Sequence, residues 1–302
     1  MRRTLVIATL LVAVAAGVVW FTQAQPTPSV PAVPPEEVAR RWAQVERWAQ
    51  TERPLGLAPL AQVVPRGGPA IPIALEPAAR WVGTPPQVAE ALPSDIAQQI
   101  DGLLAWGAAP TYAGLCGGGE VDLVAVVDRL RVALAAADAT QVDRAKAVLQ
   151  TGRALGARGG WLHAAMALAV VESTAQWAAA RGVPAWPALR AAVPTPRDFA
   201  RAAAQEALCA ADLVRSLPKA EQASLAAGVA RSRVIAHEQV GRLQGVDTFE
   251  ALRAATEPGP EGTQPEEILG HTLMVNQAAH LARFERTARK VTALLAQTPT
   301  GG

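Results

Sequence analysis

The residues of this chain that could carry out chemistry are few, and Glu172 is the most unusual of them. Residues 160–180 form an apolar stretch in which Glu172 and His163 are the only ionisable side chains, so this stretch is predicted to be the buried central helix. Burial raises the pKa of a carboxyl group, as general acid catalysis requires. The two residues lie nine positions apart, about 180° around a helix, and cannot act together from this helix alone. An enzyme or ligand site would combine Glu172 with polar residues of neighbouring helices, for which the candidates are His163, His237, Asn276 and His280.

The dipeptide Glu172-Ser173, placed after apolar helix residues, resembles the catalytic Glu-Ser dipeptide of lytic transglycosylases and goose-type lysozymes. The resemblance covers two residues. The Ser, Gly-Ala and Gly-Leu-Met-Gln features that follow in that family are missing from residues 174–187. The resemblance implies a cell-wall-cleaving role for Glu172, which we keep as a remote variant of the enzyme hypothesis.

The spacing of the histidines and cysteines predicts no metal site. His237 lacks the second histidine that a zinc-protease helix carries four residues on, since that position is Gly241. His271 lies nine residues before His280 and points to the other side of the helix. Neither cysteine has a second ligand at a metal-binding spacing, and the glycine run 117–119 lacks the Lys and Ser/Thr of a phosphate loop. We therefore predict neither a metal nor a cofactor.

The chain has two cysteines, Cys116 in a glycine-rich loop and Cys209 in a predicted helix. In an oxidising compartment they can form a disulfide, and closing so long a loop would add a few kcal/mol of stability in the entropic model. Two unpaired thiols are the alternative. Sequence alone leaves both open, because the distance between the cysteines depends on the fold.

The N-terminus predicts a membrane anchor. Residues 4–21 are 18 residues without charge or proline, close to the length of about 20 that spans a bilayer as a helix. Arg2 and Arg3 precede this run, which places the N-terminus in the cytoplasm and the body outside by the positive-inside rule. We expect a bacterial-type inner membrane with the body in the periplasm. The alternative is a signal peptide cleaved after Ala24, which would leave an exported soluble protein.

Proline density divides the rest of the chain. Residues 1–24 are the anchor or signal peptide, and five prolines make residues 25–35 a stiff linker. Residues 36–86 are predicted to form a short helix and then a proline-rich extended arm. Residues 87–298 are predicted to be an alanine-rich helical domain.

Recurring prolines between residues 53 and 86 exclude a long helix or a central strand from the arm. The arm still contains many aliphatic residues, so we expect it to lie against the helical body, with a short strand pair around Val63 and Ile73. A flap that binds a partner or covers a substrate is a sharper hypothesis for the same segment.

The remaining sequence predicts an all-α fold, a bundle of roughly eight to ten antiparallel helices joined by short loops. Helical periodicity, capping residues and helix-initiating prolines support these elements. The predicted helices cover residues 36–51, 95–106, 121–137, 140–157, 160–180, 184–192, 196–217, 218–244, 248–255 and 265–297.

Composition and motifs together favour a binding module over an enzyme. The net charge of +2 does not suit a nucleic-acid-binding protein. We predict a single-pass membrane-anchored protein whose extracytoplasmic helical domain acts as a binding or scaffold module in the cell envelope. Its expected partners are the lipid bilayer, through residues 4–21, and an envelope protein. The alternative is a helical enzyme or small-ligand binder built on Glu172.

Overall fold

The computed structural model describes residues 33–51, 55–88, 91–114, 116, 121–256 and 277–299. These residues form eleven α-helices and two short 3-10 helices, and they contain no β-strand. The predicted all-helical fold is therefore confirmed.

Apart from α2, which forms within the predicted extended arm, the helices match the predicted segments. In chain order they are α1 (Pro35–Ala49), α2 (Glu76–Arg80), α3 (Ser94–Ala108), α4 (Leu123–Ala135), α5 (Val142–Leu155), α6 (Trp161–Ala180), α7 (Pro187–Arg190), α8 (Pro196–Arg215), α9 (Lys219–Leu243), α10 (Phe249–Thr256) and α11 (Gln277–Gln297). The 3-10 helices are Ala58–Gln62 and Ile73–Leu75.

Local capping explains where several helices begin. The Asp122 carboxylate accepts a hydrogen bond from the backbone N–H of Ala125 at 3.0 Å, which caps α4. Before α8, the Thr195 N–H donates to the Asp198 carboxylate at 2.9 Å and the Asp198 N–H donates to the Thr195 hydroxyl at 3.3 Å. This reciprocal arrangement satisfies two N–H groups that a helix start would otherwise leave unpaired.

Two apolar clusters form the interior, and α6 belongs to both. The N-terminal half of α6 packs in a cluster with α1, α8, α9, α10 and α11. Its C-terminal half packs in a larger cluster with the arm, α2, α3, α4 and α5. Thirteen of the 20 residues of α6 are buried, which confirms the predicted central helix.

The direction of the helices departs from the prediction, because several neighbours run parallel. Trp161 near the start of α6 stacks on His280 near the start of α11, and Glu172 pairs with Lys290 farther along both helices. The contacts between α1 and α9 also advance in the same direction along both helices, so these two helices run parallel as well. Short loops force only consecutive helices to be antiparallel, and neither pair is consecutive in the chain.

The expected strand pair around Val63 and Ile73 is wrong. The arm instead forms the two 3-10 helices and α2, and its only β-type pairings in the described residues are single bridges of Leu57 with Ala113 and of Pro65 with Val121. Closely spaced prolines remove the N–H groups that a strand ladder needs. The arm nevertheless packs on the body, and its buried members include Leu57, Leu60, Val64, Leu75 and Trp81.

No helix within the described ranges combines the length and apolar character that crossing a bilayer demands. The predicted anchor at residues 4–21 lies outside those ranges, as do most of the proline-rich linker, His271 and Asn276. The anchor and the domain boundaries remain predictions.

Candidate ligand-binding groove

Glu172 pairs with a lysine rather than with a histidine. Its carboxylate accepts a hydrogen bond from the Lys290 ammonium of α11 and lies 3.4 Å from the side-chain amide of Gln176. Next to it, Arg131 of α4 donates to the Ser173 hydroxyl at 3.0 Å. Glu172 therefore lies at a contact of three helices, facing cations and not an apolar pocket.

His163 is part of the interior. Its ring is 4% exposed and packs so closely on Gly159 that a Cβ at Gly159 would lie 1.5 Å from Nδ1 of the ring. Burial lowers the pKa of His163 to about 4, because desolvation disfavours the charged imidazolium. The neutral ring fills space near the start of α6, far along the helix from Glu172.

His280 belongs to an aromatic cluster. Its ring stacks on Trp161 at 4.7 Å between ring centroids, and Trp161 also contacts Phe199 and Phe284. Burial, with a smaller contribution from the positive charge of Arg283, lowers the pKa of His280. The ring stabilises the packing of α6, α8 and α11.

His237 links α9 to α1. Its Nε2 lies 3.0 Å from the Gln44 side-chain oxygen, and its ring stacks on Trp48 at 5.1 Å. Burial, followed by the nearby charge of Arg41, lowers the pKa of His237. Each described histidine thus lies at a different helix contact, and the structure does not bring any of them together with Glu172. Asn276 lies outside the described residues.

Cys116 and Cys209 form a disulfide with their Cα atoms 5.3 Å apart. Both side chains are buried. The bond joins the loop after α3 to α8, so it connects a segment beside the larger apolar cluster to a helix of the smaller one. Within the described residues, no group of three or more His, Cys, Asp or Glu side chains is arranged to hold a metal.

A groove of about 840 Å³ lies between α5, α6, α7 and α8. Apolar side chains of α5 and α6 form its floor, including Leu149, Leu168 and Val171. Tyr112 and Trp186 also line it. Neither Glu172 nor His163, His237 or His280 lines this groove.

Of the residues that the structure describes, four cations and one carboxylate line the groove. Lys146 pairs with Asp143 outside the lining at 2.8 Å, and Arg201 pairs with Asp198, the lining carboxylate, at 3.1 Å. The other two cations, Arg153 and Arg158, have no ion pair with any described carboxylate. The groove therefore presents unneutralised positive charge above an apolar floor.

Tyr112 fixes the position of Arg158 at the groove. The phenol hydroxyl donates to the carbonyl oxygen of Ala154 at 2.8 Å, and the Arg158 guanidinium lies 5.6 Å from the centre of the Tyr112 ring. Burial raises the pKa of Tyr112, so the phenol stays neutral near pH 7. This contact orients the guanidinium through its attraction to the ring face.

A smaller cavity of about 240 Å³ lies between the arm and α4. Arg129 lines it, but the Arg129 side chain already donates to Gln99, to the Ala125 carbonyl at 3.0 Å and to the Pro69 carbonyl at 2.8 Å. Asp128 also lines it, and burial raises the pKa of Asp128 despite the nearby arginines. The buried arginine holds the arm on α4, so we assign the polar groups of this cavity a structural role.

The chain matches no model of a protein family, no curated protein and no solved structure. The interpretation of the groove as a binding site therefore depends on its geometry alone. Sequence reasoning missed it because Arg153 and Arg158 were not singled out. The sequence did contain a signal, because the two arginines flank the glycine at the end of an amphipathic helix. Cations are common at the C-terminal end of a helix, and their side chains can still bind a ligand there.

Proposed function

We propose that this chain is a membrane-anchored envelope protein whose helical domain binds a ligand that has an apolar body and an anionic head group. The observation that carries the proposal is the position of Arg153 and Arg158, which have no carboxylate partner among the described residues, beside the apolar floor of the groove. The membrane-anchored part is supported by the uncharged run at residues 4–21 and the two arginines before it.

The dimensions and chemistry of the groove suit such a ligand. Its volume of about 840 Å³ lies in the range of roughly 300–1,000 Å³ that holds small organic ligands. Guanidinium groups bind carboxylate or phosphate through two parallel hydrogen bonds. An alkyl or aromatic body would cover Leu168 and Val171 while the head group neutralises the arginines.

Binding is favoured over catalysis by the placement of Glu172. A general acid needs a substrate cavity beside it, whereas Glu172 lies against Lys290 and outside the groove. We therefore do not assign the remote cell-wall-cleaving role to Glu172.

Calorimetric titration tests the ligand class directly. The full chain, held in lipid nanodiscs, is titrated with octanoate, octyl phosphate and octylamine, which share one apolar body and differ in head-group charge. We expect the two anions to bind at least about tenfold more tightly than the amine, since hydrogen bonds to charged groups are worth about 1.5–3 kcal/mol. Equal affinity for octylamine and octanoate would contradict the proposal.

A pair of variants separates the groove from general surface charge. The substitutions Arg153→Gln and Arg158→Gln together should weaken octanoate binding about tenfold or more. Arg242→Gln is the matched control, because Arg242 is also exposed and also lies in the last turn of its helix. If Arg242→Gln weakens octanoate as strongly, the groove is not the site.

The anchor has its own test, which does not depend on ligand binding. Mass spectrometry of the protein extracted from membranes should show that residues 4–21 are retained. A species that begins at Gln25 would show that the segment is a cleaved signal peptide, and it would leave the groove proposal standing for an exported soluble protein.

A further inference from the structure

Positive charge is concentrated on one surface formed by α11 and its neighbours, which we call the basic face. Within the described residues, six cations and three carboxylates share it, a net charge of +3. Its cations are Arg131, Arg253, Arg283, Arg286, Arg289 and Lys290, and its carboxylates are Glu172, Glu250 and Glu285.

Two of the carboxylates are already occupied by cations of the basic face. Glu285 accepts a hydrogen bond from Arg253 at 2.8 Å and another from Arg289. Glu172 accepts from Lys290. Two carboxylates thus neutralise three of the six cations only in part. The other three arginines donate no hydrogen bond to either of these carboxylates.

Arg283 and Arg286 lie at the centre of this excess charge. Arg283 is half-buried and donates to the Ala165 carbonyl at 3.1 Å. Burial lowers the pKa of Arg283, the nearby charge of Glu172 raises it, and the positive charges of Arg286 and Arg131 lower it. Arg286 itself is exposed. Unbalanced cations at this spacing attract a surface that brings several anions at once.

The chemistry of the basic face fits phosphate groups better than another protein. Protein interfaces bury an apolar centre. In the described residues, the most exposed large apolar side chains are Ile73, Val82, Val124 and Leu162. None of these side chains lies on α10 or α11. The planar guanidinium groups of its arginines can match phosphate oxygens.

We propose that the basic face docks on the anionic phospholipid head groups of the bilayer that anchors the chain. The inference rests on the anchored part of the proposed function and is independent of the groove. The ten residues of the predicted linker that precede α1, 25–34, would span about 31 Å as a polyproline II helix, enough to let the body turn its basic face to the membrane. Each arginine near an anionic bilayer adds to this attraction.

Hydrogen–deuterium exchange of the full chain in nanodiscs tests the docking. We compare discs of phosphatidylcholine with discs that contain about 30% phosphatidylglycerol, at low salt. Peptides from α11 should exchange several-fold more slowly in the anionic discs, and the difference should vanish at high salt because the attraction is screened. Equal exchange in both discs, with the chain still held by them, would overturn the docking and leave the anchor standing.

Matched variants identify the residues responsible. The substitutions Arg286→Gln and Arg289→Gln should abolish the phosphatidylglycerol-dependent protection. The control is Arg242→Gln with Arg197→Gln, since Arg197 also has a carboxylate partner, Asp247, at 3.8 Å, and Arg242 is exposed as Arg286 is. Equal loss of protection in both double variants would overturn the assignment to the basic face.

A failure of the anchor gives a distinguishable result. If the chain does not float with phosphatidylcholine vesicles, the anchor proposal fails. Flotation of that chain with phosphatidylglycerol-containing vesicles, lost on Arg286→Gln and Arg289→Gln, would still support head-group contact by the basic face. Flotation with neither vesicle would overturn both proposals.

Discussion

The ammonium group of Lys290 donates a hydrogen bond to the carboxylate of Glu172, across the contact between α11 and α6. The two residues lie 118 positions apart in the chain. Glu172 has a half-exposed lysine as its partner, and Arg131 and Arg283 lie close enough to feel its charge. The only carboxylate of the central helix therefore balances cations from two other helices, which explains why an acidic side chain is tolerated in so apolar a stretch.

Removing Glu172 should destabilise the fold more than removing Lys290. Lys290→Met should lower the free energy of unfolding by about 0.2–1 kcal/mol, as expected of a partly exposed ion pair. Glu172→Gln should cost more, because it leaves Lys290 and Arg283 without an opposing charge. Urea unfolding of both single variants and the double variant gives the coupling energy.

The control for this pair is a local one. Lys146 pairs with Asp143 three residues away, and both side chains are largely exposed. Lys146→Met should leave the free energy of unfolding nearly unchanged. A loss from Lys146→Met as large as that from Lys290→Met would mean that the contact between α6 and α11 gains nothing from its ion pair.

Gly107 is needed where α3 crosses α5. A Cβ at Gly107 would lie 2.0 Å from the hydroxyl oxygen of Thr151 and 2.7 Å from its Cα, which is backbone and cannot rotate away. Gly107→Ala should therefore destabilise the protein near the upper end of the range of about 1–3 kcal/mol found for overpacking. Thermal unfolding followed by circular dichroism measures the loss.

Gly241 supplies the matched substitution, since it also lies in the last turn of a helix. A Cβ there would meet only the edge of the Trp48 ring at 3.3 Å. Gly241→Ala should be neutral or stabilising, because alanine favours a helix over glycine by up to about 1 kcal/mol. Similar losses for both substitutions would show that the crossing of α3 and α5 is not the cause.

Much of the fold is predictable because its signals are local. Repeating apolar positions and prolines at helix starts placed most helices within a few residues of their observed ends. The arm was harder to predict, because prolines exclude strands and long helices without selecting the 3-10 helices at Ala58–Gln62 and Ile73–Leu75. Its α2 helix, only five residues long, is too short to show a period.

The sites were not predictable, because they depend on how distant helices rotate against each other. Periodicity shows that Glu172 shares a helix with His163, but not that its outward side meets Lys290. Of the residues chosen by type, His163 is a buried neutral ring packed on Gly159, and His280 is a partly buried ring stacked on Trp161. Arg153 and Arg158, which no motif indicates, instead line the groove.

The disulfide should contribute strongly to stability, because Cys116 and Cys209 are separated by 93 positions. Constraining the unfolded chain with a loop of this size is worth about 2–5 kcal/mol. The double variant Cys116→Ala and Cys209→Ala should have a free energy of unfolding that is lower by this amount, and its urea midpoint should be lower accordingly. Reductant should shift the wild-type chain toward the double variant and leave the double variant unchanged. Coinciding midpoints for the oxidised wild type and the double variant would contradict this expectation.

His163 should make the protein less stable in acid. Burial lowers the pKa of His163 from 6.5 to about 4, so between these values the unfolded chain binds a proton that the folded chain does not. The contribution of His163 to the free energy of unfolding is therefore fully present above about pH 6.5, falls as the pH drops, and is lost near pH 4. At about 1.4 kcal/mol per pH unit, the loss amounts to about 3 kcal/mol.

Comparison with His163→Leu isolates this contribution. Leucine cannot titrate, so the free energy of unfolding of the variant should fall less steeply between pH 7 and about pH 4. Glu206 and Asp128, whose pKa values are raised by burial, act in the opposite direction but are present in both proteins and cancel in the difference. Urea unfolding at a series of pH values gives the two profiles. Parallel profiles would mean that the His163 ring is protonated as readily in the folded protein as in the unfolded chain, and hence that it is not enclosed between Gly159 and the core.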